Sequence, residues 1–537
     1  MRIVRIGDGD NQRHSAETVG AKAANLARMA ALGLPVPPAF VLPIGLCSAI
    51  AQGEQAAEHE LRDGLKEGIA FLETLTGKRF GDRQRPLLVS VRSGAARSMP
   101  GMLDTLLDVG CTPAAVRGLV RMTGNPRFAW DCRRRFLEGY AQTVLGLDPA
   151  PFAARLADVI ATEGVNSDRD LDSEAVERVA AADRALIGAS DVEISDDPME
   201  QLVGAARAVF RSWTSERAAT YQALQHLDHL QGTAVTVQAM VFGNGGPTSG
   251  SGVAFSRDPS TGRAHPVIDV LFDAQGEDVV SGRRTPVTED ALARALPAIA
   301  TELRGVLQWL EHDFGDVQDV EFTIENGRLW ILQTRAAKRT ARAALKIAVD
   351  LVHEGLITEA EALRRVSKLD PTALVETRLA GPAEPAVRGV GASAGIAVGR
   401  VAFDSESAKR LAATGEPVIL VRPDISTTDV AGFAVSAGIV TAVGGRTAHA
   451  ALVARQMARP CVVGCGGLVV EASAHRALFA GSTIVEGDWI SVDGDKGYIY
   501  LGRHQTTSER PEAELAEVAR WRASRSSEPL THSAAGS

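Results

Sequence analysis

The sequence predicts a multidomain α/β (α+β) protein, and three observations carry that reading. The chain has 537 residues, too many for one hydrophobic core, so roughly two to four domains are expected. Strand-like runs alternate with helix-period runs along most of its length. A Pro/Gly/Ala stretch, LAGPAEPAVRGVGASAG (379–395), separates a long first part from a shorter second part, as a flexible linker would.

The elements follow in order. Residues 16–32 (AETVGAKAANLARMAAL) carry apolar positions at helical spacing, and Pro35, Pro37 and Pro38 close that helix before the strand FVLPI. LLVSVRSG (87–94) is a second strand and runs into the loop Ser98-Met99-Pro100-Gly101. From about 113 to 225 the pattern is mainly helical. Strand character returns at AVTVQAMVFG (234–243), followed by a Gly/Ser loop and GVAFSRDPSTG. VEFTIENGRLWILQTR (320–335) reads as a hairpin about Asn326-Gly327. Residues 336–366 are helical, 396–503 form a compact α/β segment, and 504–537 hold a short helix and a frayed end.

Composition removes several classes of function. Hydrophobic residues are 45% and charged residues 23% of the chain, which fits a soluble globular protein rather than a disordered one. A net charge of −9 argues against nucleic-acid binding, which needs clustered Lys and Arg. The densest basic run, Arg133-Arg134-Arg135, lies in a helical stretch and reads as a structural or docking face. Cys461 and Cys465 have a metal-like spacing without a second pair, so no zinc site is expected. MRIVRIGDGD lacks a signal-peptide core, and the apolar stretch 431–445 is too short and glycine-rich to span a bilayer. A reduced, cytoplasmic setting without membrane contact is expected.

Of the eleven histidines, His449 has a distinctive setting. AGIVTAVGG, a strand-like run, reaches Gly444-Gly445, and Thr447 is placed to cap a helix starting near Ala448. The imidazole then sits in a first turn, where free N–H groups and the helix dipole favour negative charge and keep the ring neutral and nucleophilic. Such a place suits a phosphohistidine, and the two glycines allow close approach to a partner surface. GGRTAHAALVARQMARPCVVG resembles the phosphohistidine signature of the phosphoenolpyruvate (PEP)-utilising enzymes. Ala448 stands where that family usually has Ser, and Arg446 where it has Met or Leu. GDWISVDGDKGYIYLG (487–502) resembles the end of the family's swivelling β/β/α domain.

A phosphate-handling site is foreshadowed elsewhere. Lys22 lies beside Gly20 on the first helix, and Arg92 ends a strand before Gly94. Such cations commonly pair with phosphates, although surface charge is the better reading for either alone. The run Gly243–Gly252 could fold over a triphosphate, though glycine richness by itself is weak evidence. In the hairpin, Asp319 and Glu321 share one strand face, as do Gln333 and Arg335 on the other strand. Carboxylates with an amide suit Mg²⁺ bridging ATP phosphates, and a solvated polar face is the competing reading. All four share a face only if the connection holds an odd number of residues, for instance Glu325-Asn326-Gly327 with a bulge at Gly327. A two-residue Asn326-Gly327 turn separates the pairs.

Segments through the amino-terminal half, among them GAKAANLARMAALGLPVPPAFVL, VSVRSGAARSMPGMLDTLLDVG and DVQDVEFTIENGRLWILQTRAAKRT, resemble the pyruvate, phosphate dikinase family. The resemblance implies an ATP-grasp-like domain over 1–340 with a helical subdomain at about 113–225. A helical segment and linker (341–395) and a phosphohistidine carrier (396–503) would follow. It implies nucleotide-binding roles for Lys22, Arg92, Gly101, Asp319, Glu321, Gln333 and Arg335, with Asp319, Glu321 and Gln333 also holding Mg²⁺. His449, Thr447 and Arg92 would be catalytic. ATP and, from SMPGMLDT, inorganic phosphate are the implied substrates. Only 37 residues follow Tyr500, whereas the family's PEP- and pyruvate-binding barrel needs roughly 250. The expectation is therefore a short form that charges His449 and leaves the final acceptor open, with pyruvate through a separate barrel protein as one hypothesis. A homodimer is compatible with this reading. The alternatives are transfer to another small molecule and a non-catalytic nucleotide-binding relic.

Overall fold

A computed structural model describes residues 3–526 apart from 10–13, 98, 100–102, 225, 228, 281–283, 371–373, 382–383, 425–428, 447–448, 472–473 and 480. The chain divides into two units. The first comprises Met1–Pro247 with Ile324–Asn326 and Trp330–Thr334, and the second Thr248–Thr323, Gly327–Leu329 and Arg335–Ser537. Among the described residues no helix is long and apolar enough to cross a membrane.

The first unit is built on an antiparallel sheet ordered Val4–Ile6, Ala39–Leu42, Thr233–Ala239, Val89–Ala95, Thr105–Val109. Its strands are dominated by small and β-branched residues, and Phe40, Leu42, Val89, Val91, Val235 and Val237 enter one core with Leu61, Leu65 and Phe210. Helix Gln55–Thr76 approaches the sheet closely because Gly68 has no side chain; a Cβ there would strike the Phe40 ring. The expected helix over 16–32 is broken into Ala16–Val19 and Ala21–Ala31. Gly20 adopts φ +82°, and a Cβ on it would collide with the Gly94 carbonyl. Backbone contact decides that break against helical periodicity.

The 113–225 stretch is helical, with starts written in its sequence. Thr112, Asn125, Asp172 and Asp197 each accept a first-turn N–H, and Pro113, Pro126 and Pro198 occupy first-turn positions. The run Arg133–Arg135 is structural. Arg134 and Arg135 clasp the buried Asp131 at 2.7 and 2.9 Å. Burial opposes charge on Asp131, but Arg135 and Arg134 outweigh it and hold the carboxyl well below the usual range.

The second unit contains a sheet ordered Val287–Thr288, Val267–Phe272, Gly250–Phe255, Gln318–Glu325, Arg328–Ala336. The expected Gly/Ser loop over 243–252 is shorter than its composition implied. Gly250 and Gly252 are strand residues, and a Cβ on Gly252 would strike the Phe322 ring. Asn244 is tied to Asp131 at 3.2 Å.

An eight-stranded mixed sheet follows, ordered Val387–Arg388, Tyr498–Leu501, Trp489–Asp493, Ile396–Ala402, Val418–Arg422, Gly438–Thr441, Cys461–Val463, Val390–Ser393. The four strands from Ile396–Ala402 to Cys461–Val463 run parallel, joined through helices Ser405–Ala412, Val430–Val435 and His449–Gln456. The linker expected over 379–395 is therefore corrected in its second half. Val387–Arg388 and Val390–Ser393 pair at the two ends of this sheet, each carrying a β-branched Val that favours an extended strand. Residues 504–526 hold a strand as well as the expected helix. Thr506–Glu509 pairs with Glu376–Leu379, and Val518 and Trp521 of helix Glu512–Ser526 pack against Leu345, Ala348 and Ala362.

Candidate functional site

The contact between Gly20 and Gly94 sets the first cluster. Lys22 lies just inside helix Ala21–Ala31, and Arg92 lies on the strand that carries Gly94. Two side-chain-free residues let these elements meet backbone to backbone, so both cations belong to the elements that flank one junction. Arg92 sits opposite Thr105 and Thr236 on the neighbouring strands and is half-buried. Among the described residues no hydrogen bond or ion pair engages its guanidinium. Gly101 lies outside the described residues.

The hairpin turns on two residues. Its strands end at Glu325 and resume at Arg328, and Asn326 (φ 51°) and Gly327 (φ 74°) are both left-handed, the backbone of a type I′ turn. The expected three-residue connection with a bulge at Gly327 is not formed. With strict alternation, this turn places Arg335 on the face away from Asp319. Nevertheless Arg335 Nε donates to Asp319 Oδ2 at 2.8 Å.

The backbone explains the conflict. Ile331 N–H donates to Pro35 O at 2.8 Å, away from the hairpin partner, whereas Ala337 N–H donates to Val317 O at 2.8 Å. Residues an even number apart on an unbroken strand send their N–H groups to the same side, so one extra residue is inserted between these two. That bulge lies near the end of the second strand instead of at the turn, and it returns Arg335 to Asp319. The regular register with four residues on one face is thus corrected. Asp319 and Arg335 are paired, Glu321 is half-buried on the first strand, and Gln333, 6% exposed, lies in the bulged stretch.

Burial raises the Asp319 pKa despite the opposing Arg335. Burial also works against the Arg335 charge, but Asp319 and Glu321 outweigh it and raise that pKa. Asp319 Oδ1 is buried without a hydrogen-bond partner among the described residues. An orphaned carboxylate oxygen in such a place fits a divalent cation. Lys338 lies just past the second strand; burial and Arg335 lower its pKa while Asp319 opposes.

His449 opens helix His449–Gln456, which follows the parallel strand Gly438–Thr441. That is the carboxyl end of a parallel strand, where open α/β sheets place their sites. The His449 side chain, Thr447 and Ala448 lie outside the described residues. The close approach expected of the glycines is visible at Gly445, where a Cβ would lie 2.5 Å from Pro286 Cγ and 2.9 Å from Asp269 Oδ2.

Two further residues escaped the sequence reading. Asp269 is an acid inside the apolar strand VIDVLF, a detectable signal. Arg455, on the His449 helix, is 2% exposed; nothing in the helical pattern distinguishes it from a surface arginine.

Known families match both parts. The "Pyruvate phosphate dikinase, AMP/ATP-binding domain" model matches residues 54–295 and 287–355. The "PEP-utilising enzyme, mobile domain" model matches residues 414–497. Pyruvate, phosphate dikinase of Clostridium symbiosum is 42% identical over 515 residues, 94% of this chain and 58% of that protein. The Rhizobium meliloti (strain 1021) protein of the same name is 40% identical over 537 residues, covering 96% and 59% respectively. Pyruvate, phosphate dikinase 1, chloroplastic, of Arabidopsis thaliana is 40% identical over 532 residues, covering 97% and 55%. The chain thus spans a little over half the length of these relatives. With an α/β nucleotide-binding part bearing a helical insertion and a mobile domain behind it, the chain belongs to the pyruvate, phosphate dikinase family of PEP-utilising enzymes.

Proposed function

We propose that the chain is an ATP-dependent phosphotransferase that charges its own His449. The observation that carries this is the seating of the His449 segment. Gly445 abuts Asp269 and Pro286, and the buried Asp319 carboxylate, already paired to Arg335, favours the charge on the buried Arg455. The carrier helix and the acid of the expected nucleotide site therefore belong to one electrostatic neighbourhood.

In the first step a His449 ring nitrogen attacks the β-phosphorus of ATP. The bond to the α-phosphate oxygen breaks, and AMP leaves. Inorganic phosphate then attacks the terminal phosphorus, pyrophosphate departs, and the β-phosphoryl group stays on His449. Lys22 and Arg92 hold the phosphate chain in line. Asp319, Glu321 and Gln333 would hold Mg²⁺, which supplies charge neutralisation when bound. Arg335 orients the Asp319 carboxylate, Gly101 is assigned to nucleotide binding, and Thr447 is assigned to catalysis beside His449.

In this reading 1–340 is the ATP-grasp-like part, 396–503 the carrier, and the segment between them permits the swing. Pyruvate is the acceptor, through a PEP- and pyruvate-binding barrel acting in trans. The label pattern tests the order of steps. With ATP labelled at the γ position, label stays on the chain without phosphate and leaves as pyrophosphate when phosphate is added. Label retained in the presence of phosphate contradicts the scheme, and absence of label under both conditions favours the non-catalytic reading.

A further inference from the structure

Arg455 lies on the same short helix as His449 and is buried completely. Two of its guanidinium nitrogens are used within the carrier. Nη1 donates to Ala392 O at 2.6 Å and Nη2 to Arg446 O at 2.7 Å. Arg446 belongs to the glycine loop just before His449, so this one side chain braces that loop and the strand Val390–Ser393 against the helix.

The rest of the guanidinium faces outside the carrier sheet. Its carbon stands 5.5 Å from the centroid of the Phe255 ring, on strand Gly250–Phe255. Burial works against its charge, which the carboxylates of Asp319, Asp269 and Asp258 favour. Around the same spot Ser260 Oγ also donates to Ala392 O at 3.2 Å. Gly445 and Gly464 press against Pro286 and Thr285. Arg455 thus sits at the centre of a close-packed seam between the carrier segment and the Gly250–Phe255 side of the second unit.

We propose that Arg455 is a docking latch, a positioning residue that seats the His449 segment on the acidic recess of Asp258, Asp269 and Asp319 over Phe255 and transmits that seating to the carrier loop through Arg446. The latch is built to be reversible. Nε is buried without a hydrogen-bond acceptor among the described residues, so the cation is incompletely satisfied while seated. A buried cation gains from nearby carboxylates but loses hydration, and the two nearly cancel. On release Nε regains water, and the two carbonyl contacts travel with the carrier. A cation–π contact suits this duty, since it is directional yet modest in strength.

The inference rests on the proposed function, and its test separates the two. All five cysteines are buried, so Glu302→Cys and Glu406→Cys, both at exposed positions, accept a fluorophore pair that reports seating without any turnover. Single-turnover charging from β-labelled ATP and nucleotide binding are measured on the same protein. In Arg455→Met the seated population is expected to fall at least tenfold. Charging should slow about tenfold or more, while the nucleotide Kd stays within twofold; Arg455→Lys recovers part of both losses. Asp269→Asn guards against a folding defect, because it leaves the carrier's internal hydrogen bonds intact and is expected to reduce seating in the same direction. Unchanged seating in both Arg455→Met and Asp269→Asn overturns the latch, as does an equal loss of nucleotide binding. If the parent protein seats but takes no label, the proposed function fails while the latch stands.

Discussion

Arg92 and Arg455 each stand near a contact made by glycine, one in each unit, and their surroundings differ in kind. Beside Arg92, Gly20 meets Gly94 within the first unit, and its positive φ and the blocked Cβ position fix that junction. The Arg92 guanidinium is left without a protein partner among the described residues. Beside Arg455, Gly445 meets a proline ring and a carboxylate tip, side-chain atoms rather than backbone. The Arg455 guanidinium is occupied by two carbonyls and an aromatic face. Under the proposed function this is a division of labour: a fixed junction leaves a cation available for ligand, while a separable one uses its cation to hold the chain.

The largest effect that could break this comparison is at Arg92. Arg92→Ala should slow charging of His449 by about 10³-fold, with an unchanged melting temperature. A stability loss without that rate loss would make Arg92 structural. Next comes the fixed junction itself. Gly20→Ala forces a side chain into a left-handed position against a carbonyl, which should destabilise the first unit by about 3 kcal/mol in urea unfolding. Gly445→Ala should leave stability nearly unchanged and slow charging instead, because the clash is relieved when the carrier lifts away. Equal stability losses in the two variants would erase the distinction.

A pH experiment sharpens the first unit's side. Asp183 is fully buried, and burial, aided by Glu138, raises its pKa from an ordinary 3.8 to about 7. Between those values the unfolded chain gives up a proton that the folded chain keeps. The folded state then binds more protons, so stability falls as pH rises from about 4 to about 7 and levels off above. Asp183→Asn should remove this slope and stabilise the protein at pH 8 by on the order of 3 kcal/mol, with little gain near pH 4. The smallest effect is at a cap: Thr112→Ala should cost about 1 kcal/mol, read from the same urea midpoints, with charging unaffected.

Much of this was legible in the sequence where local chemistry decides structure. The cap residues and prolines of the 113–225 helices, the strand run 89–95 and the glycine-flanked His449 segment all obey short-range rules. Legibility failed where a distant neighbour decides. Gly20 breaks a helix because Gly94 lies beneath it, which no window along the chain reveals. The hairpin register could be framed from Asn326-Gly327, but the shift that reunites Asp319 with Arg335 shows only in the Ala337 N–H bond to Val317 O at the far end of the strand. The linker composition of 379–395 concealed two strands, since Val387 and Val390 find partners only once the carrier sheet exists. Arg455 was invisible for the same reason, because burial of a helix face is a tertiary fact.

The account stands most directly on one measurement. The protein is incubated with Mg²⁺, inorganic phosphate and ATP labelled at the β position, and acid-labile label on the chain is counted for the parent and for His449→Ala. The account predicts label approaching one per chain in the parent and none in the variant. Label that survives His449→Ala, or a correctly folded parent that binds ATP and takes no label, would contradict it.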